Sequence, residues 1–326
     1  MRLYTSGTTD AGCVRTNNED YIYGGRLTTG DYLFVVADGM GGHHAGEVAS
    51  RRAVTRLVDL VEGGVPEPIR DSLGAMFAQI NSELFHENQK AEPEQRMGTT
   101  LTALLARGNL AYVAHVGDSR LYRYRNGSAA DGQPAPLTRI TDDDSLVGAL
   151  VRDGAISEAE ARVHPRRSVL NQAIGMREHI NPQIRGPLEI QPGDKYVLCS
   201  DGLSSVVSDS AIQEFLDLPS SEHITKQLVS RARSAGGPDN ISVIVVSTEP
   251  DAAPSSEGDT SPEIGPAARP GRQAQPSRRA LRWFLLGLLA LLLAAIVYLL
   301  VGGAAGGRER SAGGFAQGPT VPKGNR

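Results

Sequence analysis

Short apolar runs and amphipathic stretches succeed one another through the first 249 residues, and their periods separate strands from helices. Runs at 32–37, 100–106, 110–115, 121–125, 195–200 and 241–247 have the length and composition of buried strands. Helical spacing covers 45–62, 68–89, 145–153, 157–163, 209–216 and 222–235. Ser157, with Glu160 three residues on, forms a capping box that starts one of these helices. Blocks of strands followed by blocks of helices predict packed antiparallel sheets flanked by helices, not a doubly wound parallel sheet. No internal repeat is visible.

The pattern changes after residue 249. Six prolines among Ala, Ser and Gly at 250–276 leave little to bury, which predicts an extended linker over 250–280. Residues 283–301 then carry no charge. At about 1.5 Å per residue this run reaches roughly 28 Å, close to the hydrocarbon thickness of a bilayer. It predicts one membrane-spanning helix within 281–303 and a short tail over 304–326. A buried core helix is the alternative, but the linker isolates the segment from any core. Arg278, Arg279 and Arg282 precede the run; Arg308 and Arg310, with Glu309 between them, follow it. The positive-inside bias therefore sets the first 249 residues in the cytoplasm of a single-pass cell-membrane protein. The opening "MRLYTSGTTDAG" lacks the apolar core of a signal peptide.

Composition agrees. A chain of 326 residues with 40% hydrophobic content supports one large domain or two small ones. Its two cysteines, Cys13 and Cys199, are too few for a disulfide framework and point to a reducing compartment. Net charge is −4, distributed unevenly. Residues 251–326 hold 9 basic and 5 acidic residues, leaving 24 basic and 32 acidic in 1–250. An acidic domain with a basic tail is not a general nucleic-acid binder.

Acids recur at strand ends. "FVVADG" ends in Asp38-Gly39, "VAHVGDSR" contains Asp118, "YVLCSDG" ends in Asp201-Gly202, and "GGPDNISVIVV" sets Asp239-Asn240 before a strand. Glu19-Asp20 adds a fifth acidic site in "RTNNED". A buried carboxylate is costly unless it is paired or binds a metal. Hard oxygen donors with little His or Cys suit Mg²⁺ or Mn²⁺ rather than zinc. Each site has a plainer reading. An Asp-Gly is usually a turn, Asp239-Asn240 also suits a cap, Asp118 a pair with Arg120, and Glu19-Asp20 a solvated turn. Together the five favour a metal centre.

Other chemistries fit less well. His43 and His44 are adjacent, so they diverge on either a helix or a strand and do not readily share one ion. His115 reads as a satisfied core histidine and Cys199 as a small buried hydrophobe. "GDS" and "SDG" lack the flanks of a Gly-x-Ser-x-Gly elbow, and the glycines after Asp38 do not form a P-loop.

Taken in order, "RTNNED", "VVADGMGGHHAGE", "MGTTLTALL", "HVGDSRLYR", "YVLCSDGL" and "GGPDNISVIVV" resemble the successive motifs of the PP2C (PPM) family of metal-dependent protein serine/threonine phosphatases. The resemblance spans about residues 3–248 and is strongest to the bacterial branch that counteracts Hanks-type kinases. It implies an α+β fold: a four-layer α-β-β-α sandwich of two mostly antiparallel sheets flanked by helices, with the metals in a cleft at one end. It implies hydrolysis of phosphoserine and phosphothreonine by water activated between two Mn²⁺ or Mg²⁺ ions, with a third ion in bacterial members. Phosphorylated proteins, membrane serine/threonine kinases among them, are the implied partners of a monomeric catalytic domain.

By the same resemblance, Asp38 bridges both metals and Gly39 offers its carbonyl oxygen to the second. Asp201 and Asp239 complete the first metal. Glu19 holds waters of the second, with Asp20 behind it. Arg15 grips the substrate phosphate, a task that suits a guanidinium fork. Asp118 serves the third metal, Ser168 approaches it, and Asn240 orients the ligands. Residues 141–170 match the family's mobile flap, where substrate preference is expected to lie; Asp142–Asp144 within it read as a solvated acidic loop, with an approach to the third metal as the alternative. Some family members carry a histidine directly after the Asp-Gly as a general acid. Here Met40 stands there, which leaves the general acid unassigned, with a metal-bound water or His43 as candidates. A pseudophosphatase scaffold is the rival reading, and it sits poorly with the presence of Asp38, Asp201 and Asp239 together.

Overall fold

The computed structural model describes residues 1–41, 44–125 and 137–249. One antiparallel sheet runs β1 (Arg2–Asp10), β11 (Ile241–Glu249), β10 (Asp194–Cys199), β7 (Arg120–Arg125), β8 (Thr138–Arg139). The second runs β2 (Asp20–Arg26), β3 (Tyr32–Gly41), β5 (Leu101–Arg107), β6 (Leu110–Val116), β9 (Gln183–Glu189), and the short β4 (Met97–Thr99) pairs with the end of β3. Helices α1 (Ala45–Glu62) and α2 (Ile69–Asn88) cover the second sheet; α6 (Asp209–Phe215) and α7 (Ser221–Ser234) cover the first.

Alternation along each strand builds these layers. In β3, Phe34 and Val36 pack between the sheets, while Leu33, Val35 and Ala37 pack under α1 and α2. In β11, Ile244 and Val246 face the other sheet, and Ile241, Val243 and Val245 face α7. Burial on both faces explains why these strands read as unbroken apolar runs. A fully buried side chain of this size stabilises the fold by about 1.5–3 kcal/mol. The four-layer α-β-β-α expectation is met.

The same alternation places the chemistry. Continued toward one end of the sandwich, each inter-sheet column turns polar. Ile22 is followed outward by Asp20, Val36 by Asp38, Leu198 by Ser200, Ile244 by Ser242, Leu104 by Thr102 and Val113 by His115. The apolar layer thus ends in a polar floor at this end.

Helices follow the predicted pattern closely, and α1 occupies 45–62 as expected. Ser157 and Glu160 form both hydrogen bonds of the capping box at the start of α4 (Glu158–Val163). Five strands escaped the periodicity: β1, β2, β9 and the short β4 and β8. His115 is buried with Nδ1 against Thr102 Oγ1 at 2.8 Å, and Cys199 is buried with its thiol pushed up to about 12 by desolvation. Among the described residues no helix is long and apolar enough to cross a membrane. The expected linker (250–280), span (281–303), tail (304–326) and His43 lie outside the described residues.

Candidate metal centre and phosphate site

A cleft of about 530 Å³ opens over the polar floor. Arg15, Glu19, Asp38, Asp118, Asp201 and Asp239 all line it, with Gly39, Ser168 and Asn240. Residues from six separate parts of the chain therefore meet where the strand ends converge. A larger groove of about 790 Å³ beside β1 and α7 has one acid on its walls, Glu222, and no comparable set.

Asp38 is held through its backbone. Its N–H donates to Thr100 Oγ1 at 2.9 Å, and its carbonyl accepts from Thr100 N–H and Thr99 Oγ1, both at 2.9 Å. The "GTT" motif thus fixes the peptide of the acid. The next residue must be glycine for close approach: a Cβ on Gly39 would stand 2.1 Å from Gly46 O and 2.6 Å from Glu19 O. Gly39 N–H donates to Glu19 O at 3.1 Å, which locks the Glu19 loop against the end of β3.

Asp20 lies behind the cleft, directly opposite Asp38 in the β2–β3 register. It is buried, and Ser200 Oγ donates to its Oδ2 at 2.7 Å from the other sheet. Asn240 ties its own loop to the connection between β1 and β2. Its Nδ2 donates to Ala11 O at 3.1 Å and Asn17 O at 2.8 Å, and its Oδ1 accepts from Glu19 N–H at 2.8 Å. Arg15 reaches across to Asp239, Nη2 to Oδ2 at 2.9 Å.

The electrostatics are those of a site short of positive charge. Burial, and then the charges of Asp20, Asp201, Asp118 and Asp239, hold the Asp38 carboxyl well above the usual range. Asp118 is driven up by desolvation and by Asp201 and Asp143, against the pull of Arg120. Asp201 rises to about 6 through burial and the charge of Asp239. Asp20 rises to about 7 through burial, opposed by the Ser242 and Ser200 hydroxyls. Glu19 rises through burial, with Arg15 opposing. Desolvated carboxylates that repel one another ask for a cation.

The donors fit hard divalent ions: carboxylate oxygens from Asp38, Glu19, Asp118, Asp201 and Asp239, with the Gly39 carbonyl among them. Among the described residues no three His, Cys, Asp or Glu side chains are closed around a single point. Asp38 and Asp201 stand within hydrogen-bonding reach of one another, and the other carboxylates line the cleft around them. Such spacing suits ions that keep waters and share ligands better than a tight protein cage.

The acidic loop at 142–144 corrects an expectation, since it is paired rather than solvated. Asp142 meets Arg185 at 2.7 Å, Asp143 takes a two-pronged bond from Arg120, and Asp144 accepts from Gly117 N–H, Gln172 and Gln183. Arg120 is therefore engaged by Asp143 and not hydrogen-bonded to Asp118. Ser200, Thr99 and Thr100 are positioning groups that the sequence did not single out as such; the run of polar residues ending each inter-sheet column was the available signal.

The protein phosphatase 2C family model matches residues 14–242, and the chain belongs to that family. It is 38% identical over 288 residues to the serine/threonine protein phosphatase PstP of Mycobacterium tuberculosis, covering 85% of this chain and 52% of PstP. It thus spans about half the length of that relative. It is 37% identical over 245 residues to the protein phosphatase PhpP of Streptococcus pneumoniae, covering 73% of this chain and 95% of PhpP. A crystal structure of the PstP catalytic domain in complex with two manganese ions superposes with a TM-score of 0.64 at 37% identity, covering 76% of this chain and 99% of that one.

Proposed function

We propose that this chain removes phosphate from phosphoserine and phosphothreonine residues of proteins and does so at the membrane, opposing serine/threonine kinases there. The observation that carries the reading is the convergence of Arg15 with Asp38, Asp118, Asp201 and Asp239 in one cleft. A phosphomonoester needs both parts, a guanidinium for its oxygens and a divalent centre for its charge.

Asp38 would bridge two ions, Asp201 and Asp239 would complete one, and Gly39 O with Glu19 would serve the other, with Asp20 behind and Asp118 set for a third. When bound, such ions supply Lewis acidity at the phosphoryl oxygens and lower the pKa of the attacking water. The protein's own part is placement. Thr99 and Thr100 hold Asp38 rigid, and Asn240 holds the loops that carry Arg15, Glu19 and Asp239. Asp239 orients the Arg15 fork toward the cleft, where the planar guanidinium takes two phosphate oxygens. Met40 lines the cleft and has no proton to give. His43 lies outside the described residues, so water or His43 would supply the proton to the leaving alkoxide.

The apolar run at 283–301 supports the membrane part of the reading. A tether of roughly thirty residues keeps the domain within some tens of ångströms of the bilayer, which raises its effective concentration against membrane kinases. Two measurements test the proposal. The full-length chain should release phosphate from phosphoserine and phosphothreonine peptides and leave a phosphotyrosine peptide intact. Removal of residues 278–326 should spare peptide hydrolysis and slow dephosphorylation of a kinase in vesicles; equal loss on both substrates would contradict the tether.

A further inference from the structure

The cleft has a wall that the chemistry above does not use. Met40, Met176 and Arg177 line it alongside the carboxylates. Met176 is 50% exposed, and Arg177 is exposed beside it. A half-exposed thioether on the wall of the cleft stands where a bound substrate would touch it.

This wall is rigidly built. Two buried asparagines of α2 spend their amides on it. Asn81 Nδ2 donates to Arg177 O at 2.9 Å and Glu178 O at 3.0 Å, and its Oδ1 accepts from Gly175 N–H at 2.8 Å. Asn88 Nδ2 donates to Gly175 O at 2.8 Å and to Met97 O at 2.7 Å. Thr99 and Ile174 exchange backbone hydrogen bonds at 3.2 and 2.9 Å, which joins the wall to the motif that holds Asp38. The Met176 side chain lies on bare backbone: a Cβ on Gly98 would stand 2.8 Å from its Cγ and 3.0 Å from its Sδ. Gly98 in turn pairs with Met40. Met40 and Met176 thus flank the same backbone ribbon.

Arg177 is the available charge on this wall. Among the described residues its guanidinium meets no carboxylate, whereas Arg15 is engaged by Asp239 at 2.9 Å. Around it the first 250 residues carry a net negative charge, which on its own would repel an acidic substrate.

We propose that Arg177 reads an anionic side chain next to the phosphorylated residue of the substrate, a carboxylate or a second phosphate, while Met40 and Met176 bear on the peptide between them. The inference rests on the phosphatase reading and names its substrate class: phosphoproteins whose target residue has an acidic or phosphorylated neighbour. Thioethers adapt to varied side chains, so the wall constrains charge more than shape.

The test uses the full-length protein with Mn²⁺ and three phosphothreonine peptides that differ at one flanking position: Asp, the phosphonate analogue of phosphoserine, or Lys. Both kcat/KM and binding by fluorescence anisotropy are measured. The anionic flanks should exceed Lys by about fivefold, a difference that shrinks with added salt, and Arg177→Glu should reverse the order. The ranking of Asp against the phosphonate identifies which anion the site takes. Equal kcat/KM on the three peptides, or an anionic preference that survives Arg177→Glu, would overturn the subsite. A binding order set by flank charge without phosphate release would uphold the subsite and contradict the phosphatase reading; release without any order would do the reverse.

Discussion

Asp20 and Asp38 stand opposite one another in the β2–β3 register, both on the side that faces the other sheet. Neighbouring strands thus deliver two carboxylates to the same end of the sandwich, and Ser200 of the opposing sheet donates to the buried one. The arrangement favours folding only if protons or cations offset the charge.

Without metal, the protein should lose stability as pH rises. In the unfolded chain these carboxyls release their protons near the ordinary value of about 4. Folded, Asp201 keeps its proton to about 6 and Asp20 to about 7. The folded state therefore binds more protons between about pH 4 and 7, and stability falls through that window. Melting in EDTA should show a Tm several degrees lower at pH 7.5 than at pH 5. Saturating Mn²⁺ should flatten or reverse the trend, because the ions replace the protons. A metal-free Tm that rises from pH 5 to 7.5 would contradict the electrostatics.

Asn240→Ala should weaken the fold and the site together. It leaves Ala11 O, Asn17 O and Glu19 N–H without their partner. Loss of three largely buried hydrogen bonds costs about 2–4 kcal/mol, a fall of roughly 5–12 °C in Tm for a domain this size. Mn²⁺ affinity should fall as well, since Glu19 is released. Calorimetry of folding and of Mn²⁺ binding reads both.

Arg15→Lys should separate binding from stability. Arg15 is 55% exposed, and its pair with Asp239 is of the kind that contributes at most about 1 kcal/mol. The Tm should stay within about 2 °C. KM for a phosphothreonine peptide should rise about tenfold, because a lysine cannot form the two-pronged contact with phosphate. An unchanged KM would remove Arg15 from the phosphate site.

How much of this was legible in the chain depended on where each residue's partners lie. The strand at 32–37 and the helix at 45–62 could be read because burial on both faces and a 3.6-residue stripe are local patterns. β1 could not. Its "TSGTTD" is polar and mostly half-buried, and it is a strand because nine residues pair with β11 more than two hundred positions away. β9 hides behind Pro187 at a sheet edge, and β2 behind Gly24 and Gly25. The acids of the site were legible because a carboxylate ending an apolar run is a local contradiction. The Asn81 and Asn88 support of the cleft wall was not, since each asparagine sits on a helix and acts on a loop nearly a hundred residues on.

The most direct test of the account is phosphate release from a phosphothreonine peptide by the full-length protein, with Mn²⁺ and with EDTA, beside Asp38→Asn. Turnover with Mn²⁺, none in EDTA, and a loss of at least about a thousandfold in Asp38→Asn are expected, since that side chain is assigned to both ions. Turnover in EDTA, or an Asp38→Asn protein that retains most of its rate with Mn²⁺, would show that the cleft works by some other chemistry.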